Sequence, residues 1–476
     1  MNPNVRARSS KARATPTEDF AFACLAVAVA VCRSRGHPSV SAMDTALTAN
    51  AMSETYSLCD EAKVDGIYAR RFCRKRDAFR DWRRFCHYAL TSPRGQSEKL
   101  SEMTDISAAR HGPLHGLRMV DLTAVIMGTY ATQVMANFCA EVIKIESPDG
   151  DIIRFVRKHG DHGMGPIHLT LNRGKSLVAL DLEKPEAVRV VRKLIESADA
   201  FVDAMRPKAI ERLGLGFEAV RAIKKDIVYC GAYGAAAIGP YGDDPANDDL
   251  IQGLCGIADL GARPADEPRF FPTVIADKVC GLTLAYSLLA ALMHRQRTGE
   301  GQQVEVPMFE SMVQFLMVEH LGNRTFGPNE DVGYARVLSQ LRKPHRTLDG
   351  YVCALPYHDK NWRDFFLLVE RPDLANDPRF TSHNARSQNY EVLYGLLGTL
   401  IAARTTAYWL EMLRMKNIPV APAHQLADPH LLQVGLFETV QHPDLGAIMS
   451  IRSPIGFSAT PASSGKPAGR IGADSI

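Results

Sequence analysis

In FPTVIADKVCGLTLAYSLLAALMHRQRTGEGQQVEVPM, residues Phe271 to Met308, a long apolar segment passes through a glycine-bounded turn into a short alternating run. Leu282, Tyr286, Leu289 and Met293 recur at helical spacing with alanine between them, which predicts a helix. His294, Arg295 and Arg297 fill its last turn, where cations suit the negative end of the helix dipole. Gly299 stops it, and Val304–Val306 reads as a strand. Asp277 stands where the helix begins and allows two readings. One is an N-cap carboxylate that accepts backbone N–H bonds. The other is a nucleophile held against the apolar wall of Val274, Ile275 and Ala276 and poised by the helix N-terminus.

Upstream, Leu117–Leu122 reads as a buried strand, Tyr130–Cys139 as a helix and Glu141–Ile145 as a second strand. This β-α-β opening predicts an α/β fold, a parallel sheet with helices on both faces. Further strands are expected at Leu177–Leu182 and Ile227–Cys230. A nicotinamide dinucleotide would require a glycine-rich turn after the first strand. The turn here, DLTAVIMGTY, holds Gly128 alone, so that fingerprint is missing. Downstream of Met308 a helix runs to about Leu321, Gly322–His345 is irregular, and Thr347–Met415 reads as a small α+β unit. Ile418–Pro422 is expected to return the chain to the large domain.

Hydrophobic and charged contents of 46% and 23% are those of a globular protein, and a net charge of +3 is not that of a nucleic-acid binder. The charge is uneven. Residues 1–102 carry 17 Lys+Arg against 11 Asp+Glu, and residues 103–476 carry 39 against 42. Five of the ten cysteines also fall in that first segment, and no C-x-x-C occurs, so neither a zinc site nor a redox dithiol is indicated. Buried free thiols in a reducing cytoplasm are the expectation. Phe20–Cys32 is too short for a membrane span, and Arg33 and Arg35 directly behind it argue against an export signal. Tyr68–Tyr88 interleaves arginine with aromatics; a solvated or disordered basic segment is favoured over nucleic-acid binding. Residues 1–102 are therefore expected to be a poorly ordered basic extension upstream of the real start, which is expected at Met103.

The words around Asp277, I-A-D-x-x-x-G followed by R-T-G-x-G-Q and a V-x-V strand, resemble the class III CoA-transferase family, the CaiB/BaiF group. Similar landmarks stand at D-L-T with Gly128, at Asn172-Arg173-Gly174-Lys175-Ser176, at Arg206-Pro207 with Arg212-Leu213-Gly214, and at Pro245-Ala246-Asn247-Asp248. The resemblance implies a large Rossmann-like domain begun by residues 113–325, a smaller α+β domain over 326–415, and a return to the large domain over 416–476. It also implies two chains interlocked as a homodimer. Asp277 would form the covalent acyl intermediate. Val125, Arg173, Lys175, Leu180, Arg206, Arg212 and Asp248 would contact CoA, the arginines and lysine because such groups bind phosphate oxygens. Ala204, Met205 and Lys208 depart from the Asn, Phe and Gly usual in that family, at the part of the site that holds adenosine.

The implied reaction moves CoA from an acyl-CoA to a small carboxylic acid, with CoA as co-substrate and no permanently bound cofactor, metal, nucleic acid or membrane. An acyl-CoA racemase is the first rival. It needs two acid/base groups, and Asn247, where the related racemases carry His, cannot titrate. A non-catalytic acyl-CoA-binding homologue is the second.

Overall fold

The computed structural model describes residues 112–156, 163–263, 267–423 and 429–475. The basic extension, the apolar run Phe20–Cys32, the segment Tyr68–Tyr88 and Met103 lie outside the described residues.

Six strands form one parallel sheet: β1 Arg118–Leu122, β2 Glu141–Glu146, β3 Ser176–Ala179, β4 Ala200–Asp203, β5 Val228–Tyr233 and β6 Gln303–Pro307. Their order is β3-β2-β1-β4-β5-β6. Strands buried on both faces read as near-continuous apolar runs, and β5 (VYCGAY) is buried at every position. This is a doubly wound sheet whose strand order reverses between β1 and β4, and ligands of such sheets sit beyond the carboxyl ends at that point.

The Ile275–Thr298 helix packs against the Met127–Asn137 helix in one apolar cluster, which includes Met135, Cys280, Leu284, Leu288 and Met312. Gly281 permits the close approach, since a Cβ there would lie 2.7 Å from the carbonyl oxygen of Met127. Gly299 ends the helix in the left-handed region at φ +77°. Arg295, in the last turn, reaches Asp199 at 2.8 Å and Asp226 at 2.5 Å and ties the helix to the entrances of β4 and β5. Most of the stripe that marked the helix in the sequence faces outward, Leu289 alone of its four residues packing on the core. Leu282, Tyr286 and Met293 are 47%, 59% and 60% exposed, while Cys280, Leu284, Leu288 and Ala291 are buried. Both faces are apolar, so spacing alone could not say which meets the core.

Residues 345–422 build a second sheet from β7 His345–Arg346, β8 Tyr351–Ala354 and β9 Val420–Pro422, all antiparallel. Its core is aromatic, with Trp362, Phe365, Phe366, Phe380 and Trp409 in mutual contact and the indole N–H of Trp409 donating to the Ile401 carbonyl at 2.7 Å. Here the structure departs from the expected boundary. Ile418 is in this small core and β9 pairs with β8, so Ile418–Pro422 stays with the small unit.

The return to the large sheet comes later. β10 Phe437–His442 and β11 Gly446–Ile451 form a hairpin. Beyond it the Ser463 N–H donates to the Asn137 carbonyl, and the N–H groups of Leu177 and Ala179 on β3 donate to Asp474 and Ser475.

Candidate active site

A cavity of about 450 Å³ opens where the strand order predicts it. Its walls come from the segments after four strands: Val125 and Met127 after β1, Met205 and Arg206 after β4, Gly234 after β5 and Met308 after β6. Asn247, Asp248 and Asp277 close one side. Gly234 lets the 242–247 loop approach, because a Cβ there would lie 2.3 Å from the Cβ of Ala246.

Asp277 lies in the first turn of its helix but does not cap it. The N-cap is Val274, which makes no side-chain capping bond, so the N-cap reading of Asp277 is corrected. Asp248 takes that work, its Oδ1 accepting the Asp277 N–H at 3.0 Å. The second oxygen of Asp248 accepts from Gln252 Nε2 at 2.5 Å, and Gln252 Oε1 accepts the Phe271 N–H at 2.8 Å. Asp248 is thus a buried, fully engaged cap at the cavity wall, and its contribution to the site is to hold Asp277 and press a negative charge on it.

The Asp277 side chain is free of that duty and is 8% exposed. Burial pushes its carboxyl up to about 7, the nearby Asp248 adds to the rise, and a hydrogen bond from the Met127 N–H partly offsets both. A desolvated carboxylate beside a cavity, with no cation paired to it among the described residues, has the properties of an activated oxygen nucleophile. Asn247 caps its own helix, accepting the Leu250 N–H at 3.1 Å, and offers no second acid/base group.

The remaining site residues divide. Val125 lines the cavity with φ +62°. Arg206 also lines it and is exposed, with no ion pair among the described residues. Arg212 is exposed at the end of the Pro207–Arg212 helix, outside the cavity wall. Leu180 is half-buried against the Val120/Phe201 cluster and does not reach the cavity.

Arg173 and Lys175 are corrections. Arg173 is buried and donates to Ser450 Oγ at 2.8 Å and to the Ile451 carbonyl, pinning β11 to the large sheet. Lys175 is wholly buried, 3.3 Å from Asp121, and donates to Thr132 Oγ1 at 2.8 Å and the Thr129 carbonyl at 3.0 Å. Burial pushes its ammonium down to about 8 against the pull of Asp121. Neither side chain is presented to a phosphate in this arrangement. Sequence reasoning also missed Met127, whose contribution is a backbone N–H and leaves no trace in residue type.

The sequence pattern of CoA-transferase family III matches residues 114–475. A Mycobacterium tuberculosis protein named "Probable fatty acyl-CoA transferase Rv3272" is 32% identical over 331 residues, 66% of this chain and 82% of that protein. The succinate–glutarate CoA-transferase of Agrobacterium fabrum is 27% identical over 78% of this chain and 95% of its own length. The crystal structure of Rv3272 in its orthorhombic form superposes with a TM-score of 0.66 at 29% identity, covering 76% of this chain and 98% of that one. A CaiB/BaiF family protein from Brucella suis superposes at 0.64 with 27% identity, covering 76% and 97%. Sheet order, cavity and sequence pattern agree: the chain is an enzyme of the α/β class and belongs to CoA-transferase family III.

Proposed function

We propose that this CoA-transferase works through a covalent intermediate on Asp277, and the observation that carries the reading is the desolvated carboxylate of Asp277 at the wall of the cavity, with no cation paired to it among the described residues. The carboxylate attacks the donor thioester, forming a mixed aspartyl–acyl anhydride and expelling CoA thiolate. The thiolate then attacks the aspartyl carbonyl, forming an aspartyl–CoA thioester and releasing the first acid. The acceptor carboxylate attacks that thioester, and the same two steps in reverse give the new acyl-CoA and restore Asp277. Each step exchanges one acyl bond for another, so the reaction needs no oxidant and no hydrolysis. Exclusion of water is what keeps the anhydride productive, and the buried position of Asp277 supplies it. Hydroxylamine added with the donor acyl-CoA should leave a hydroxamate on the peptide that contains Asp277; transfer with an untouched Asp277 would refute the proposal.

The nucleotide of CoA is assigned to Arg206, which precedes the Pro207–Arg212 helix, with Arg212 at that helix's far end. Loss of a charge-assisted hydrogen bond is worth about 1.5–3 kcal/mol, so Arg206→Ala should raise KM for acyl-CoA roughly tenfold or more. The rise should vanish with an acyl-pantetheine donor, and an equal rise with both donors would remove the assignment.

The outward apolar stripe Leu282, Tyr286 and Met293 supports a homodimer that covers it. Sedimentation of the intact chain should give twice the monomer mass; a monomer at micromolar concentration would count against this. A cytoplasmic setting is part of this proposal and rests on the sequence, whose ten cysteines include no C-x-x-C.

A further inference from the structure

Residues 123–127 join β1 to the Met127–Asn137 helix, carry Val125 and Met127 in the cavity wall, and set the Met127 carbonyl against Gly281, one turn along the helix from Asp277. Val125 holds φ +62°, a region unfavourable to a β-branched side chain, so the turn must be held from outside. Two buried side chains hold it. Lys144 Nζ donates to the Thr123 carbonyl at 2.7 Å, and the Asp151 carboxylate accepts the Val125 N–H at 3.1 and 3.2 Å. The two grips are coupled, since Lys144 and Asp151 stand 3.5 Å apart with 0% and 2% of their side chains exposed. Asp151 also accepts the Ile153 N–H at 3.2 Å, which fixes its own carboxyl. Gly128 completes the turn, because a Cβ there would lie 2.4 Å from the side chain of Thr123. Neither Lys144 nor Asp151 lines the cavity, and the transfer steps use neither of them.

We propose that Lys144 and Asp151 are positioning residues for the nucleophile: their buried ion pair grips the turn at the Thr123 carbonyl and the Val125 N–H, and so holds Val125 and Met127 in the cavity wall that Asp277 shares. The inference rests on the reading of Asp277 as nucleophile. It explains why so costly a feature as a buried pair sits behind the apolar part of the wall formed by Ala124, Val125 and Met127. The neighbouring buried charges Asp121 and Lys175, and Glu146 with Arg154, pair with each other and brace the same region.

The test uses the intact chain carrying Asp151→Asn, which keeps the shape, and a double variant Lys144→Met with Asp151→Leu, which leaves no orphaned charge. A displaced wall beside the nucleophile costs rate more than affinity, so kcat should fall by about 100-fold while KM for acyl-CoA changes little. The acid limb of kcat/KM against pH should also move upward, because Asp277 has lost the Met127 backbone contact that favours its charged form. The other groups that act on Asp277, namely Asp248, Asp249 and the Cys280 thiol, are untouched in these variants. A purely structural role would lower the folded fraction and leave the limb in place. Folded variants with parental kcat, or a rate loss with an unmoved limb, would overturn the proposal. Hydroxylamine trapping in the parent separates the two levels. An adduct on Asp277 with unmoved variants rejects the positioning alone, and no adduct rejects both.

Discussion

Asp277→Asn should abolish CoA transfer, with a fall in kcat of about four orders of magnitude or more, because an amide cannot form the anhydride. The same substitution carries an internal control in stability. The folded carboxyl titrates at about 7, above its ordinary value of 3.8, so between these two pH values the folded state holds a proton that the unfolded state has lost. Its stability contribution is therefore intact below pH 3.8 and is lost as pH rises through about 7. Above that, the buried charge costs up to about 4 kcal/mol. Asn carries no such charge. The variant should match the parent in denaturant unfolding near pH 4 and exceed it at pH 8, while being inactive at both. In the parent, kcat/KM should rise about tenfold per pH unit below 7 and level off above it. An active Asn variant, or one less stable than the parent at pH 8, would contradict the assignment of Asp277 as a buried nucleophile.

Lys175→Met should act on stability and leave CoA affinity alone. The substitution strands Asp121, whose side chain is fully buried and is held by Lys175, by Thr132 Oγ1 at 2.6 Å and by Thr123 Oγ1 at 2.6 Å. Removing one partner of a buried pair costs about 3–5 kcal/mol. Urea unfolding should show a loss of that size, and calorimetry on the folded protein should show parental CoA binding. A phosphate-binding lysine would give the opposite pattern, with affinity down roughly tenfold or more and stability nearly unchanged. A Lys175→Met protein as stable as the parent would mean that the pair with Asp121 contributes little, and the neighbouring Lys144 would then be the cation that Asp121 requires.

The contrast between Asp277 and Lys175 shows how far local sequence reaches. The sequence by itself determined the Ile275–Thr298 helix and its end, because propensity, last-turn cations and a left-handed glycine are written within a few residues of one another. It determined the α/β class, since strand and helix periodicities alternate along the chain. It also singled out Asp277, through the words on either side of it. Strand order, by contrast, depends on β1 lying beside β4 rather than β5, a pairing between distant segments. That order places the cavity, and with it the assignment of Val125, Arg206 and Met127 to one wall.

The chemistry of Asp277 was decided at the same level. Its cap comes from Asp248 and its donor from Met127, and neither is near it in the chain. Arg173 and Lys175 show the converse. Asn-Arg-Gly-Lys has the composition of a solvated turn, and only the folding of β1 and β11 over it buries the two cations against Asp121, Ser450 and Ile451. Burial is a property of what other segments cover. Residue type therefore named the groups capable of chemistry here, and tertiary contact decided which of them face the cavity and which hold the sheet together.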